Sequence, residues 1–210
     1  MNTTLQRAFV VAGICGIFHI ASAGSAIAQT DDRAIDGAPS GAAVRSAYDI
    51  PATPQVTLAH IRPRNPALAA LIEQATERSA TFRQLVETIN HSAAIVYVQE
   101  GDCGHGVRAC VRSVSAAGPY RLLWVHVDTR KQVDSHVMAS IGHELRHAIE
   151  VIDDPSVTNN SAMFFLYQRI GSQGTEQGAV ETGAAVAAGE AVRSEVRAFD
   201  QLLTVRRHVP

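Results

Sequence analysis

An α+β fold is the class this sequence predicts, and three observations predict it. Apolar residues recur at spacings of three and four over residues 66–91, 134–152 and 160–170, the period of helices that bury one face. Between the first two of these stretches, residues 93–127 carry β-branched and aromatic runs that alternate in the manner of strands. An Ala-rich stretch of good helix propensity follows near the C-terminus. The expected order is an N-terminal helix or helix pair, a small antiparallel sheet, a central helix, then C-terminal helices.

The chain has 210 residues and is 46% hydrophobic, enough for one domain with a proper core. Residues 1–28 read as a secretory signal peptide: Arg7 closes a short n-region, residues 8–20 are apolar, and Ala26-Ile27-Ala28 supplies the cleavage site. The apolar run is short and contains His19, so no stable membrane anchor is expected after cleavage, and the mature protein is expected to be secreted or periplasmic. Residues 29–58 are rich in Ala, Ser, Gly, Asp and Pro and read as a flexible leader to a domain over residues 59–205. A net charge of −2, with one Lys and 17 scattered Arg, gives no electrostatic footprint for nucleic acid.

Within the domain, Leu68, Leu71, Ile72 and Ala75, then Phe82, Leu85, Val86 and Ile89, line one helix or two abutting ones. Residues 93–98, 109–115 and 120–127 read as strands, with a turn at residues 116–119; the third, nearest the central helix in sequence, is the expected edge. Removing the leader takes Cys15 with it. The remaining Cys103 and Cys110 read as a disulfide clamping a loop in an oxidising compartment.

The central helix runs over residues 134–152, with Asp134 or Ser135 as N-cap and Asp153-Asp154-Pro155 as the stop. Met138, Ile141, Leu145, Ala148 and Ile152 form its core face, while His136, Ser140, His143, His147 and Glu150 share the other. His143 and His147 are four apart and project one turn from each other, so both imidazoles can close on one metal ion, with zinc the expected cofactor. Glu144, on their flank, is placed to act as general base toward a metal-activated water. Arg146 flanks the core face and is expected in a structural ion pair.

The octapeptide Ile141-Gly142-His143-Glu144-Leu145-Arg146-His147-Ala148 resembles the active-site helix of zincin metallopeptidases. Residues 148–153 lack the Gly and third His of the metzincin branch, so the gluzincin branch, with a Glu on a downstream helix, is the one it is similar to. That resemblance implies a carboxylate as third ligand, a zincin-like fold with a sheet beside the helix, and a peptide or protein substrate added to an edge strand. Residues 177–200 read as the downstream helix, with Glu181 on an apolar face shared with Ala184, Ala185, Ala188 and Val192. A buried carboxylate there needs a compensating charge. Glu150, which shares the azimuth of His147, and Glu176 remain rivals for the third position, with Glu150 better suited to hydrogen-bond a ligand histidine. Glu190 and Glu195 sit among Arg193 and Arg197 on what reads as a solvated face.

Residues 160–170 form a further helix whose Met163, Phe164, Tyr167 and Ile170 read as core, with Tyr167 also able to stabilise an oxyanion. Residues 171–178 would join it to the ligand helix and border the cleft. His126, on the third strand, reads as packed rather than ligating. The expected function is an exported zinc-dependent hydrolase, foremost a peptidase; the alternative is a non-catalytic exported domain that binds zinc or a protein.

Overall fold

A computed structural model describes residues 57–104, 106–130, 132–173 and 180–207. The expected signal peptide, nearly all of the leader, and Glu176 lie outside the described residues. The elements run β1 (Ile61–Pro63), α1 (Pro66–Arg78), α2 (Ala80–Asn90), β2 (Ala94–Glu100), β3 (Ala109–Ala117), β4 (Tyr120–Val127), α3 (Asp134–Asp153), α4 (Asn160–Ile170), β5 (Ser172–Gln173), β6 (Val180–Glu181) and α5 (Gly183–Arg207). The class is α+β: five helices and a small four-stranded sheet, with β5 and β6 as a separate ribbon.

The first helical stretch is two helices. Asn65 caps α1 by accepting the Leu68 N–H at 2.8 Å, with Pro66 at the first helical position, where its missing donor costs nothing. Ser79 leaves the helical conformation, closes α1, and starts α2 by accepting the Phe82 N–H at 3.0 Å. Glu195 of α5 braces this joint, accepting the Ser79 and Thr81 hydroxyls at 2.6 and 2.8 Å and the Thr81 N–H at 3.0 Å. It is therefore a buttress, in contrast to the solvated role its neighbouring arginines suggested.

The sheet corrects the expectation of an antiparallel one. Its order is β1-β2-β4-β3, with β2 parallel to both β1 and β4 and only the β3–β4 hairpin antiparallel. The loop after β2 carries the chain past the β4 position, so β3 returns on the far side and β4 fills the gap. Consequently β4 is an interior strand, and β3 and β1 are the edges. Within that loop Gly104 and Gly106 have φ of 78° and 75°, a region open to glycine at little cost, and the Cys103–Cys110 disulfide closes it with a Cα–Cα distance of 6.0 Å. The pairing of β3 with β4 slips between Val111, opposite Val125, and Ser113, opposite Trp124, a bulge that leaves Arg112 without a partner in the ladder.

One face of the sheet, carrying Val96, Val98, Leu123, Val125 and Val127, is fully buried against α1, α2 and α3, with Leu68, Ile72, Phe82 and Ile89 opposite. Strand alternation puts Tyr97 and Trp124 on the other face, stacked at 4.4 Å between ring centroids.

Helix α3 crosses the centre. Its N-cap position is Val133, with no side-chain cap, so neither Asp134 nor Ser135 plays that part. At the other end it stops at Asp153, as its sequence indicated. Arg121 of β4 donates to the Val151 and Ile152 carbonyls, both at 2.6 Å, and to the Asp154 carbonyl at 2.8 Å, satisfying acceptors that a helix end leaves open. Small residues let α5 lie close against α3. A Cβ on Gly142 would stand 2.9 Å from Val192 Cγ2, and one on Gly189 would stand 3.2 Å from the His143 Cβ.

Two expectations for the C-terminal half need revision. On α4, Met163 and Leu166 are buried, whereas Phe164 is 57% and Ile170 43% exposed, because the helix lies at the margin of the core and covers it with one narrow stripe. The last helix starts at Gly183 rather than at residue 177. Thr182 caps it, its hydroxyl accepting the Ala185 N–H at 3.1 Å, so Glu181 stands on β6, two residues before the helix. Ala185, Ala188 and Val192 form the buried stripe, and Ala184 is exposed. Among the described residues no helix is long and apolar enough to cross a membrane.

Candidate metal centre

Two turns of α3 and the end of β6 build the site. The spacing of four puts His143 and His147 side by side, ring centroids 4.8 Å apart. Pairing with β5 brings Glu181 over them, with its Oε2 atom 2.8 Å from His143 Nε2 and 3.6 Å from His147 Nε2. One ligand atom from each of the three residues lies within 4.8 Å of the others, a group able to hold a metal ion.

Whether these residues suit a metal is tested by what else they bond. The Nδ1 of His147 lies 2.8 Å from Glu150 Oε2, and Thr182 donates its hydroxyl to the other Glu150 oxygen at 2.6 Å. A carboxylate taking the Nδ1 proton leaves the Nε2 lone pair free toward the cluster, the arrangement that fixes a ligating imidazole. Glu181 Oε2 is buried without a hydrogen bond of acceptable geometry, despite its closeness to both rings. Two imidazole nitrogens and one otherwise unsatisfied carboxylate oxygen converge on one point, so the donor set fits a divalent cation.

Electrostatics follow this arrangement. The closeness of His143, then of His147, holds the Glu181 carboxyl down at about 2. For His147, burial works against the charged form, yet the hydrogen bond to Glu150 and the nearby Glu181 carboxylate overturn it and raise the group to about 9. Burial likewise opposes charge on Glu150, which the His147 and Thr182 hydrogen bonds outweigh, so its carboxyl is lowered.

Glu144, 5% exposed, sits beside the cluster with Oε1 3.9 Å from His143 Nε2. Burial pushes its carboxyl up, opposed by the nearby charges of His147 and His143. The backbone amide of Val111 on β3 lowers it a little further.

The cluster opens to two cavities that share Val107, Ala109, Glu144 and Glu181. On the His147 side a space of about 450 Å³ is walled by Val111, Met163, Phe164, Tyr167 and Val180. On the His143 side one of about 360 Å³ is walled by Arg108, Ser140, Gly189, Glu190 and Arg193. Edge strand β3 and the loop before it border both.

Of the rivals for third ligand, Glu150 therefore braces His147 instead of joining the cluster, and Glu176 lies outside the described residues; Glu190, read as solvated, is exposed. Tyr167 donates its hydroxyl to the His147 carbonyl at 3.0 Å, which engages it with the helix rather than leaving it aimed at a reacting group. Arg146 forms no ion pair among the described residues; its charge acts on Glu150 from a distance. His126 is away from the cluster, its Nε2 2.8 Å from Gln99 Nε2. Sequence reasoning missed Thr182 and Val111. Thr182, a good capping residue directly before the helical Gly183-Ala184-Ala185 run, was visible as a helix start; the approach of the Val111 amide to Glu144 depends on how β3 packs beside α3, which no local pattern announces. Comparison of the chain with family models, curated proteins and solved structures finds no match.

Proposed function

We propose that this protein is a zinc-dependent hydrolase, foremost a peptidase, with a zincin-like arrangement of helix, edge strand and carboxylate ligand. The observation that carries this reading is the convergence of His143, His147 and Glu181 beside Glu144, a carboxylate that burial has made more basic. Zinc bound there supplies Lewis-acid polarisation of a carbonyl and acidification of water. His143, His147 and Glu181 would hold the ion through three protein ligands, fewer than a closed structural site uses, which would leave room for a water.

The protein's own residues do the rest. Glu144 takes the proton of the attacking water at its carboxylate and returns it to the leaving nitrogen, a role for which a raised proton affinity is an advantage. Glu150 and Thr182 keep the His147 ring in one orientation. Strand β3, an edge of the sheet at the cleft wall, offers main-chain groups to an extended peptide. The Cys103–Cys110 disulfide accords with an exported protein, as the signal-like N-terminus suggests.

One observation favours the alternative, a non-catalytic zinc-binding domain: Glu144 is only 5% exposed. A Glu144→Gln variant separates the two. If the reading is right, metal analysis shows zinc retained while peptide hydrolysis falls by roughly 10²–10⁴-fold. Absence of hydrolysis by the zinc-loaded natural protein across diverse peptides favours the binding domain. Protein purified without chelators and carrying no zinc overturns both.

A further inference from the structure

The two cavities that meet at the cluster differ in chemistry. On the His147 side Val111, Met163, Phe164 and Val180 present apolar surface, and Phe164 is 57% exposed although it stands at the cavity wall. Its ring packs edge-on against Phe165, itself 67% exposed, with 5.6 Å between centroids. Two adjacent aromatic rings left to water at a cleft margin are surface that a bound apolar group would cover. On the His143 side the exposed guanidinium groups of Arg108 and Arg193 share one cavity. Arg108 has only a loose pairing with Asp128, at 3.8 Å, and Arg193 has no ion pair among the described residues. Glu190 is the one carboxylate lining that cavity besides Glu144 and Glu181, and the Glu181 charge faces His143 and His147.

We propose that the cleft selects an amphipathic peptide segment, with a bulky apolar side chain on the His147 side and a carboxylate on the His143 side held by Arg108 and Arg193. The occupant's being a peptide rests on the peptidase reading above; the asymmetry rests on the two walls alone. An extended chain laid along the start of β3 crosses from one cavity to the other over the cluster, because Val107 and Ala109 border both. Its apolar group displaces water from Met163, Phe164 and Val180, and its carboxylate meets two planar guanidiniums suited to forked hydrogen bonds. A lysine in place of the acid is repelled by the same pair.

The test uses the full chain carrying Glu144→Gln, loaded with zinc, and fluorescein-labelled short peptides holding one Phe and one Asp, Asn or Lys in either order. Binding is read by fluorescence anisotropy. In one of the two orders the Asp peptide binds about tenfold more tightly than its Lys counterpart, with Asn between. The preference reverses on adding Arg108→Glu and Arg193→Glu, with zinc content and melting temperature unchanged. Phe164→Ala weakens all Phe peptides severalfold and leaves the Asp-over-Lys preference intact. Equal binding of Asp and Lys peptides, a preference that survives both charge reversals, or no binding of any peptide overturns the proposal. Hydrolysis of Phe peptides by the natural protein without regard to charge would sink this proposal and leave the peptidase reading standing. Charge-selective binding without hydrolysis would do the converse.

Discussion

The two histidines of the cluster are equivalent in the motif and unlike in the fold. His147 is the braced one: its side chain is 8% exposed, Glu150 fixes its Nδ1, and Tyr167 holds its backbone carbonyl. His143 is the open one: its side chain is 20% exposed and faces Glu181 and the backbone of α5 at Gly189. The difference teaches that this site has a fixed end, where orientation is set before any ligand arrives, and a yielding end, where the neighbouring helix sets the room available.

The sharpest way to break this comparison is to remove each ring in turn. Both His147→Gln and His143→Gln are expected to abolish stoichiometric zinc, measured by metal analysis. His147→Gln should also destabilise the chelator-treated protein the more, by about 1–3 kcal/mol in denaturant titration, because it takes a charged partner from Glu150 as well as from Glu181. Next in size, Glu150→Gln leaves all three ligands in place and should weaken zinc by roughly 10–100-fold in a competitive chelator titration. An unchanged affinity would mean that the brace does not orient the ring.

The braced end also predicts a pH response in metal-free protein. His147 titrates near 9 in the fold against 6.5 ordinarily, so its ion pair with Glu150 and Glu181 contributes fully below about 6.5 and is lost as pH rises through about 9. Glu181, held at about 2 against 4.5, contributes above about 4.5 and loses its part as pH falls through about 2. Melting temperatures of chelated protein should fall on the alkaline limb, and His147→Gln should flatten it. At the yielding end, Gly189→Ala would press a methyl 3.2 Å from the His143 Cβ and 3.3 Å from the Ala139 carbonyl. It should lower zinc affinity severalfold while stability changes little, since Ala favours the helix by about 1 kcal/mol. Smallest is Tyr167→Phe, which deletes one hydrogen bond to the His147 carbonyl, for about 0.5–1.5 kcal/mol in stability and no loss of zinc.

The helices were legible because their signals are local: the three-four spacing of Ile141, Leu145 and Ala148 fixes the buried face of α3 without knowledge of its partners. Strand positions were legible for the same reason, but strand neighbours were not. The parallel pairing of β2 with β4 is decided by where the Cys103–Cys110 loop carries the chain, and β1 is three residues ending in Pro63, too short to announce itself. Glu181 was identified as a carboxylate poised over the histidines through a helix it does not belong to. Helix propensity extends the Ala-rich run back past the Thr182 cap, whereas the right residue reaches the cluster from a strand. Phe164 reads as core by hydrophobicity and stands at the cleft wall because α4 has only one covered stripe.

Thr182 ties these parts together. Its hydroxyl starts α5 and donates to the carboxylate that orients His147, and the residue before it belongs to the cluster. A cation captured by Glu181 therefore pins the first turn of a 25-residue helix. Chelation should raise amide exchange at Ala185 and Val186 well before the sheet loosens, the behaviour of a bound ion that would act as a local fastener for α5.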